Sequence, residues 1–117
     1  MTGSTRYHAG AAAEDSVARD YESRGAAVIA RRWRGQGGEI DLILRAGETV
    51  IFVEVKASRS FARAAERITP RQAARIMTAA QEFLEGEPGG QLTDIRFDVA
   101  LVDGVGRVEI VENAFAG

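Results

Sequence analysis

Cysteine is absent from this chain of 117 residues, and histidine occurs only once, at His8. Without cysteine the protein has no disulfide framework and no thiolate metal site, although this absence leaves the cellular compartment open. His8 lies close to the N-terminus, where we expect a frayed segment and no ligand role. These scarcities exclude disulfide scaffolds and metal sites built on cysteine.

Long apolar runs are also absent. No stretch approaches membrane-spanning length, and the polar residues Thr2 to His8 do not resemble a signal peptide. We therefore expect a cytoplasmic protein with no membrane partner. At 12.6 kDa and 45% hydrophobic residues, the chain is long enough for one compact core and short for two. We expect a single domain over residues 1–117, with residues 1–9 flexible.

Lysine is nearly absent as well, since Lys56 is the only lysine among 15 basic residues. An ammonium is a compact charge that can be desolvated beside a phosphate or a water. Lys56 follows Glu54 by two positions in a segment that is typical of a strand, so both side chains point to one face. Burying such a pair requires compensation, and catalysis is one common reason to keep it.

The net charge of −2 argues weakly against a protein that coats nucleic acid through bulk positive charge. The distribution of charge is more informative. Residues 54–81 carry six basic and two acidic side chains, whereas residues 82–117 carry two basic and eight acidic ones. The middle of the chain is therefore suited to face a polyanion, and the C-terminal part is not.

Hydrophobic periodicity and turn residues predict the element order α-β-β-β-α-β-β. The predicted helices cover about 10–24 and 70–84, the predicted strands cover 26–33, 39–45, 49–57, 95–102 and 107–111, and 58–69 is a mobile loop or short helix. A helix between the third and fourth strands allows a right-handed parallel crossover. We therefore expect an α/β fold with a mixed β-sheet flanked by helices.

Both helices have a predicted inward face. In the first helix it contains Glu14 together with Val17, Ala18 and Tyr21. In the second helix, which Thr69 and Pro70 open, the predicted inward residues are Ala73, Ile76, Met77, Ala80 and Phe83.

Three charged residues are brought together by the predicted hairpin. Pairing across its short turn places Asp41 beside the strand that carries Glu54 and Lys56. Neighbouring carboxylates repel unless a cation lies between them, and such oxygen ligands suit Mg²⁺ or Mn²⁺. Glu14 could add a carboxylate from the first helix. The competing interpretation is a surface hairpin with a cross-strand ion pair, which would contribute little to stability.

Four segments carry a family resemblance: 38–43 (GEIDLI), 50–56 (VIFVEVK), 96–99 (RFDV) and 113–115 (NAF). Asp41, followed after a hairpin by Glu54-Val55-Lys56, resembles the signature of the PD-(D/E)XK, or restriction-endonuclease-like, nuclease superfamily. More narrowly, the four segments resemble the bacterial YraN-like family, which is similar to archaeal Holliday junction resolvases. The resemblance spans nearly the whole chain.

The resemblance implies a restriction-endonuclease-like core and specific roles. Asp41, Glu54 and the Val55 carbonyl would hold Mg²⁺ or Mn²⁺, Lys56 would be the catalytic lysine, and Glu14 matches the family's helix glutamate, a further catalytic and metal-binding carboxylate. The chain departs from the pattern at three places. Ile40 stands where the superfamily name has proline. Ala57-Ser58-Arg59 follows the lysine, where the YraN-like pattern more often has a threonine and an arginine directly. Arg71 stands where a lysine is more usual.

Arginines are the candidate nucleic-acid contacts. Arg31, Arg32 and Arg34 lie beside a Gly-rich turn and could bind phosphates, with Trp33 stacking on a base, unless this is an ordinary basic loop around a packed tryptophan. A second set of arginines follows the hairpin and forms either a phosphate-facing edge or a solvated helix face: Arg59, Arg63 and Arg67, which recur every four residues, and Arg71 and Arg75 beyond the proline. Gln72 is a further candidate, because related nucleases often place a polar active-site residue on the helix that follows the site strand. Glu39 is a further candidate ligand, whereas we interpret Asp98 as structural.

These residues favour a metal-dependent endonuclease that hydrolyses phosphodiester bonds in DNA, in branched or processed structures. A catalytically silent nucleic-acid-binding module on the same fold is the alternative. A third hypothesis, an adaptor that uses the acidic C-terminal part, predicts no metal binding. Junction-cutting relatives act as symmetric dimers, so a homodimer through an exposed fourth or last strand is also a hypothesis.

Overall fold

The computed structural model of the protein describes the backbone of residues 2–115 and the side chains of residues 10–115. It confirms the α/β class and the predicted order, with one short helix added between the third and fourth strands. The elements are α1 (Thr2–Ser23), β1 (Ala27–Arg34), β2 (Glu39–Ala46), β3 (Thr49–Ala57), α2 (Phe61–Ala65), α3 (Pro70–Leu84), a 3₁₀ turn (Gly90–Leu92), β4 (Asp94–Val102) and β5 (Val108–Val111).

The five strands form one mixed sheet in the order β1-β2-β3-β4-β5. Only β3 and β4 are parallel, and the other neighbours are antiparallel. The parallel pair requires a crossover, which α2 and α3 supply, so the predicted crossover is confirmed. β4 lies inside the sheet and has no free edge, so a dimer cannot form by pairing through the fourth strand. β5 lies at an edge of the sheet.

The first helix ends where the sequence predicts and begins earlier. Gly25 follows the last turn with a φ of +96°, a conformation that glycine adopts without a steric penalty. The start differs, because α1 begins at Thr2 rather than near Gly10. No proline interrupts the intervening residues, so nothing in the sequence stops the helix there. Met1 and the side chains of residues 2–9 lie outside the described part, and the flexibility of residues 1–9 stays a prediction.

The third helix begins at a capping box. Thr69 Oγ1 accepts from the Gln72 N–H at 3.2 Å, and Gln72 Oε1 accepts from the Thr69 N–H at 3.2 Å. Its buried line is Ile76, Ala79, Ala80 and Leu84. The prediction for Met77 is wrong, since this residue is 44% exposed. It lies one position, or about 100°, away from the line at Ile76.

Helices cover both faces of the sheet. Val17, Ala18 and Tyr21 of α1 pack on one face against alternate residues of β2 and β3, which confirms the predicted inward stripe. Residues of α3 pack on the opposite face around Phe52. Within residues 2–115, no helix combines the length and apolarity needed to cross a bilayer.

A buried carboxylate ties the first helix to the C-terminal strands. The Asp98 side chain is fully buried and accepts from the Tyr21 hydroxyl at 2.7 Å, from two Arg96 nitrogens at 2.9 Å and from the Asn113 N–H at 3.0 Å. Burial, followed by the hydrogen bond to Asp98, raises the pKa of Tyr21 far above its usual value. Asp98 is therefore a structural residue, as its alternation with Arg96 indicates.

Candidate functional site

The two central strands separate immediately beside the candidate carboxylates. The pairing of β2 with β3 reaches Leu42 and Val53 and goes no further in that direction. Beyond this point β2 stays paired with β1 as far as Glu39, whereas β3 stays paired with β4 as far as Ala57. The sheet therefore opens into a fork, and we call this region the forked hairpin. One arm carries Asp41, and the other carries Glu54 and Lys56.

Asp41 fills the gap that the separation creates. Its Oδ2 atom accepts a hydrogen bond from the Val55 N–H at 2.8 Å. Beyond the last pair with β2, this edge of β3 needs another acceptor for its backbone, and a buried N–H without one would be costly. The carboxylate thus satisfies the strand backbone and is held next to Glu54.

The strand opposite Asp41 is irregular at Arg32. This arginine has a φ of +50°, which is uncommon for a residue other than glycine. In the register of β1 and β2 it lies between the pairs Arg31 with Leu42 and Trp33 with Ile40, that is, across from Asp41. Left-handed backbone at such a residue costs roughly 1–3 kcal/mol and tends to occur at functional sites.

Two cations compensate the neighbouring carboxylates. Lys56 Nζ lies 2.9 Å from Glu54 Oε2, and both side chains are 13% exposed. Arg32 Nε donates to Glu14 Oε1 at 3.0 Å, which brings the first helix to the forked hairpin. Glu14 is 12% exposed. The expected convergence of Asp41, Glu54, Lys56 and Glu14 is therefore present, with the lysine and the arginine paired to glutamates.

The two cations do not fully compensate the three carboxylates, and the pKa of Asp41 reflects this. Burial, followed by repulsion from Glu54 and from Glu14, raises this pKa to about 7, while the hydrogen bond from the Val55 N–H opposes the shift. An Asp with this pKa binds a proton near neutral pH because no cation compensates it fully. A site that perturbs a carboxylate in this way is a candidate for function.

Two of the carboxylates, Glu14 and Asp41, border an open cavity of about 340 Å³. Its lining includes Glu14, Asp41, Val55, Lys56 and Arg67, so residues from α1, both arms of the hairpin and the end of the segment after α2 meet here. The four-residue spacing of Arg59, Arg63 and Arg67 predicted that Arg67 lies on a phosphate-facing edge or on a solvated helix face, and it did not place Arg67 beside the carboxylates. Its Nη1 atom donates to the Ala57 carbonyl at 2.8 Å, which fixes the guanidinium beside the cavity.

The donor set differs from a closed metal cage. Within residues 10–115, no three side chains of Asp, Glu or His group together in an arrangement that could enclose a metal ion. Mg²⁺, however, usually retains several waters and binds proteins through only one or two carboxylates. The adjacent carboxylates of Asp41 and Glu54, whose mutual repulsion contributes to the raised pKa of Asp41, suit that mode of binding.

The basic residues before the Gly-rich turn are engaged with acids. Arg31 Nη1 lies 2.7 Å from Asp15 Oδ1, and Arg34 Nη2 lies 3.4 Å from Glu39 Oε2. Trp33 packs edge-on against Phe83, with ring centroids 5.5 Å apart, and is part of the core on the α3 face. The packed interpretation of this tryptophan is confirmed.

The Gly-rich turn itself already binds a carboxylate. Glu82 of α3 accepts from the Gln36 N–H at 2.9 Å and from the Gly37 N–H at 2.8 Å. These two N–H groups are of the kind that would otherwise bind a phosphate. The sequence reasoning missed Glu82, because the contact joins residues 45 and 46 positions apart and no local pattern marks it.

The other predicted contacts lie on the surface near α2 and α3. Arg59, Arg71 and Arg75 are exposed, whereas Gln72 is partly buried. The side-chain oxygen of Gln72 is used in the helix cap. A role of these four residues in binding nucleic acid stays a prediction.

Comparison with known proteins gives a consistent family. The model of the uncharacterised protein family UPF0102 matches residues 13–102, which include the forked hairpin. A UPF0102 protein from Ruegeria pomeroyi is 67% identical over 112 residues, covering 95% of this chain and 91% of that protein. Two UPF0102 proteins from strains of Cereibacter sphaeroides are 64% and 63% identical over 116 residues, covering 99% of both chains in each case.

Proposed function

Because the chain belongs to the uncharacterised protein family UPF0102, whose name assigns no activity, we propose a function from its own site. The proposal is a divalent-metal-dependent endonuclease that hydrolyses phosphodiester bonds in DNA. One observation carries it: the sheet opens at Asp41 and Glu54, and the only lysine of the chain is held at the same opening. The resemblance of these residues to the PD-(D/E)XK signature supports the same chemistry.

The proposed roles follow from the position of each group. Asp41, Glu54 and the Val55 carbonyl hold Mg²⁺ or Mn²⁺, with Glu14 as a further carboxylate at the cavity. When bound, the ion supplies Lewis-acid stabilisation to the phosphodiester. Lys56 presents an ammonium whose side chain is only 13% exposed, so its charge acts on the phosphate with little screening by water. Arg67 and the neighbouring arginines hold the flanking phosphates.

DNA is the proposed polymer, in a branched or otherwise processed form. Residues 54–81, which contain the end of β3, all of α2 and most of α3, carry six basic and two acidic side chains. The similarity of the YraN-like family to junction resolvases supports a branched substrate and a homodimer. We place the protein in the cytoplasm, where such DNA is processed in bacteria.

The alternative is a nucleic-acid-binding module that no longer cuts. It is favoured by the two ion pairs, because Lys56 is engaged with Glu54 and Arg32 with Glu14. A nuclease mechanism requires the Lys56 ammonium to break its ion pair with Glu54 and to pair with a phosphate when DNA and the ion bind. The binding module requires no such exchange, so it predicts binding that is insensitive to loss of the Lys56 ammonium.

A cleavage panel separates these two functions. Labelled single-stranded, duplex, flapped and four-way DNA would be incubated with Mg²⁺ or Mn²⁺ and with wild type, Glu54→Gln or Lys56→Ala. Glu48→Gln, an exposed acid in the turn at the other end of the hairpin, is the matched control. The enzyme predicts metal-dependent cutting that both site variants lose and the control retains. Binding without cutting by wild type would establish the alternative.

A further inference from the structure

A larger cavity continues from the site and has no role in the proposal above. It measures about 550 Å³ and lies between α1, the end of β3 and the turn after β4. Ala13, Ala57 and Arg67 line both this cavity and the smaller one that contains Asp41 and Lys56. The two cavities are therefore neighbouring parts of one groove, with Arg67 at the junction.

Small side chains keep the larger cavity open. The first helix contributes Ala12, Ala13 and Ser16, and the turn contributes Gly104 and Gly106. A Cβ atom at Gly106 would meet no other atom within 4 Å, so there is open space on that side. The volume falls within the range of small-molecule sites, roughly 300–1,000 Å³, and the apolar walls suit a flat organic ring.

The charge around this cavity favours a phosphate-linked ligand. Arg59 and Arg67 are among the lining residues, and the Arg67 guanidinium is held there by the carbonyl of Ala57, which also lines the cavity. The one carboxylate in the lining, Asp103, is engaged by Arg107 at 2.6 Å and by the Val105 N–H at 3.1 Å. Its negative charge is thus compensated within the turn, so Asp103 repels an incoming anion less than an unpaired carboxylate would. Guanidinium planes also stack on nucleobases.

We infer that this cavity holds the base and sugar of one unpaired nucleotide, next to the phosphodiester at the forked hairpin. The inference rests on the proposed function and specifies its substrate. A base within a continuous duplex reaches such a cavity only after unstacking and unpairing, which costs a few kcal/mol. An unpaired nucleotide at a flap, an overhang or a junction enters without that penalty. The substrate class is therefore DNA with an unpaired nucleotide beside the cut.

The test compares binding of two labelled DNA ligands by fluorescence anisotropy, with Ca²⁺ in place of Mg²⁺ to prevent cutting. One ligand is a duplex with a single-stranded overhang, and the other is the same molecule with abasic sites in the overhang. Wild type is expected to bind the intact overhang about tenfold more tightly, since contacts to unpaired bases contribute at that level. Equal affinity for the two ligands would overturn the inference, because the cavity would then not hold a base.

A cavity-filling variant gives a second readout. Ala12→Phe fills the cavity from an exposed position of α1, and Ala74→Phe places the same side chain on the solvent side of α3. The preference for intact overhangs is expected to disappear in Ala12→Phe and to persist in Ala74→Phe. A folded Ala12→Phe protein that keeps the preference would contradict the inference.

Failure of the inference and failure of the proposed function give different results. Metal-dependent cutting that Glu54→Gln abolishes, with no effect of abasic sites, overturns the inference alone. Absence of DNA binding by wild type overturns both. The abasic comparison uses only the wild-type protein, so it decides the inference even where Ala12→Phe does not fold.

Discussion

Replacing Asp41 by Asn is expected to stabilise the metal-free protein at pH 8. In the fold, burial and repulsion from Glu54 raise the pKa of this carboxyl to about 7, whereas in the unfolded chain it titrates near 3.9. The asparagine is neutral at every pH and keeps an oxygen that can accept from the Val55 N–H. It therefore removes the cost of a buried charge and retains the hydrogen bond.

The size of the effect follows from the shift in pKa. A difference of roughly three pKa units corresponds to about 4 kcal/mol at most, because one unit is equivalent to about 1.4 kcal/mol. Relaxation of the neighbouring carboxylates reduces this value, so we expect Asp41→Asn to raise the free energy of unfolding at pH 8 by on the order of 2–4 kcal/mol.

The direction of the pKa shift of Asp41 also determines how the stability of the wild type depends on pH. Between pH 4 and pH 7 the folded wild type keeps a proton that the unfolded chain has released, so its stability falls as the pH rises through this window. Below pH 4 both states are protonated at this site. The advantage of Asp41→Asn should therefore be small at pH 4, grow up to pH 7 and stay constant above it.

Urea unfolding of wild type and Asp41→Asn at a series of pH values, with EDTA present, measures this difference. Asp94→Asn, at an exposed residue of β4, is the control and should change stability little at any pH. Saturating Mg²⁺ should stabilise wild type at pH 8 and have little effect on Asp41→Asn. The reasoning is refuted by an Asp41→Asn protein that is less stable at pH 8, or whose difference from wild type does not depend on pH.

Three further predictions concern the scaffold. Tyr21→Phe removes the 2.7 Å hydrogen bond to the buried Asp98 and should lower the free energy of unfolding by about 1–3 kcal/mol in urea; a neutral effect would mean that the bond contributes nothing. Glu82→Ala frees the N–H groups of the Gly-rich turn, so hydrogen exchange there should accelerate and stability should fall by about 1–3 kcal/mol, whereas unchanged exchange would contradict the contact. Met77→Lys should change the free energy of unfolding by less than about 0.5 kcal/mol, while Ile76→Ala should lower it by about 2–5 kcal/mol. A larger loss of stability in Met77→Lys than in Ile76→Ala would indicate that Met77 faces the core, as the sequence predicts.

Local signals predicted most of the elements accurately. Alternation bounded by turn residues marked β3 at its observed limits, and Thr69 with Pro70 marked the start of α3. The inward face of α3 was less certain, because a period of 3.6 residues leaves positions at the border of a stripe ambiguous. Met77 is such a position, and only the packing of α3 on the sheet decides it.

The sequence predicted the composition of the site and not its geometry. Hairpin pairing placed Asp41 near Glu54, but the separation of β2 from β3 depends on their different outer neighbours, β1 and β4. Arg67 reaches the site through the Ala57 carbonyl, ten residues away. The four-residue spacing that Arg67 shares with the preceding arginines does not predict this contact, because the contact depends on how the chain folds back on the end of β3.

Cleavage of a labelled flapped DNA under single-turnover conditions tests the central claim most directly. Wild type and Glu54→Gln, purified identically, would each be assayed with Mg²⁺ and with EDTA. Our account predicts cutting by wild type only when Mg²⁺ is present, and a rate at least about 100-fold lower in Glu54→Gln, since the ion contributes several kcal/mol. Equal cutting by the two proteins, or cutting that persists in EDTA, would contradict a metal-dependent nuclease site at the forked hairpin.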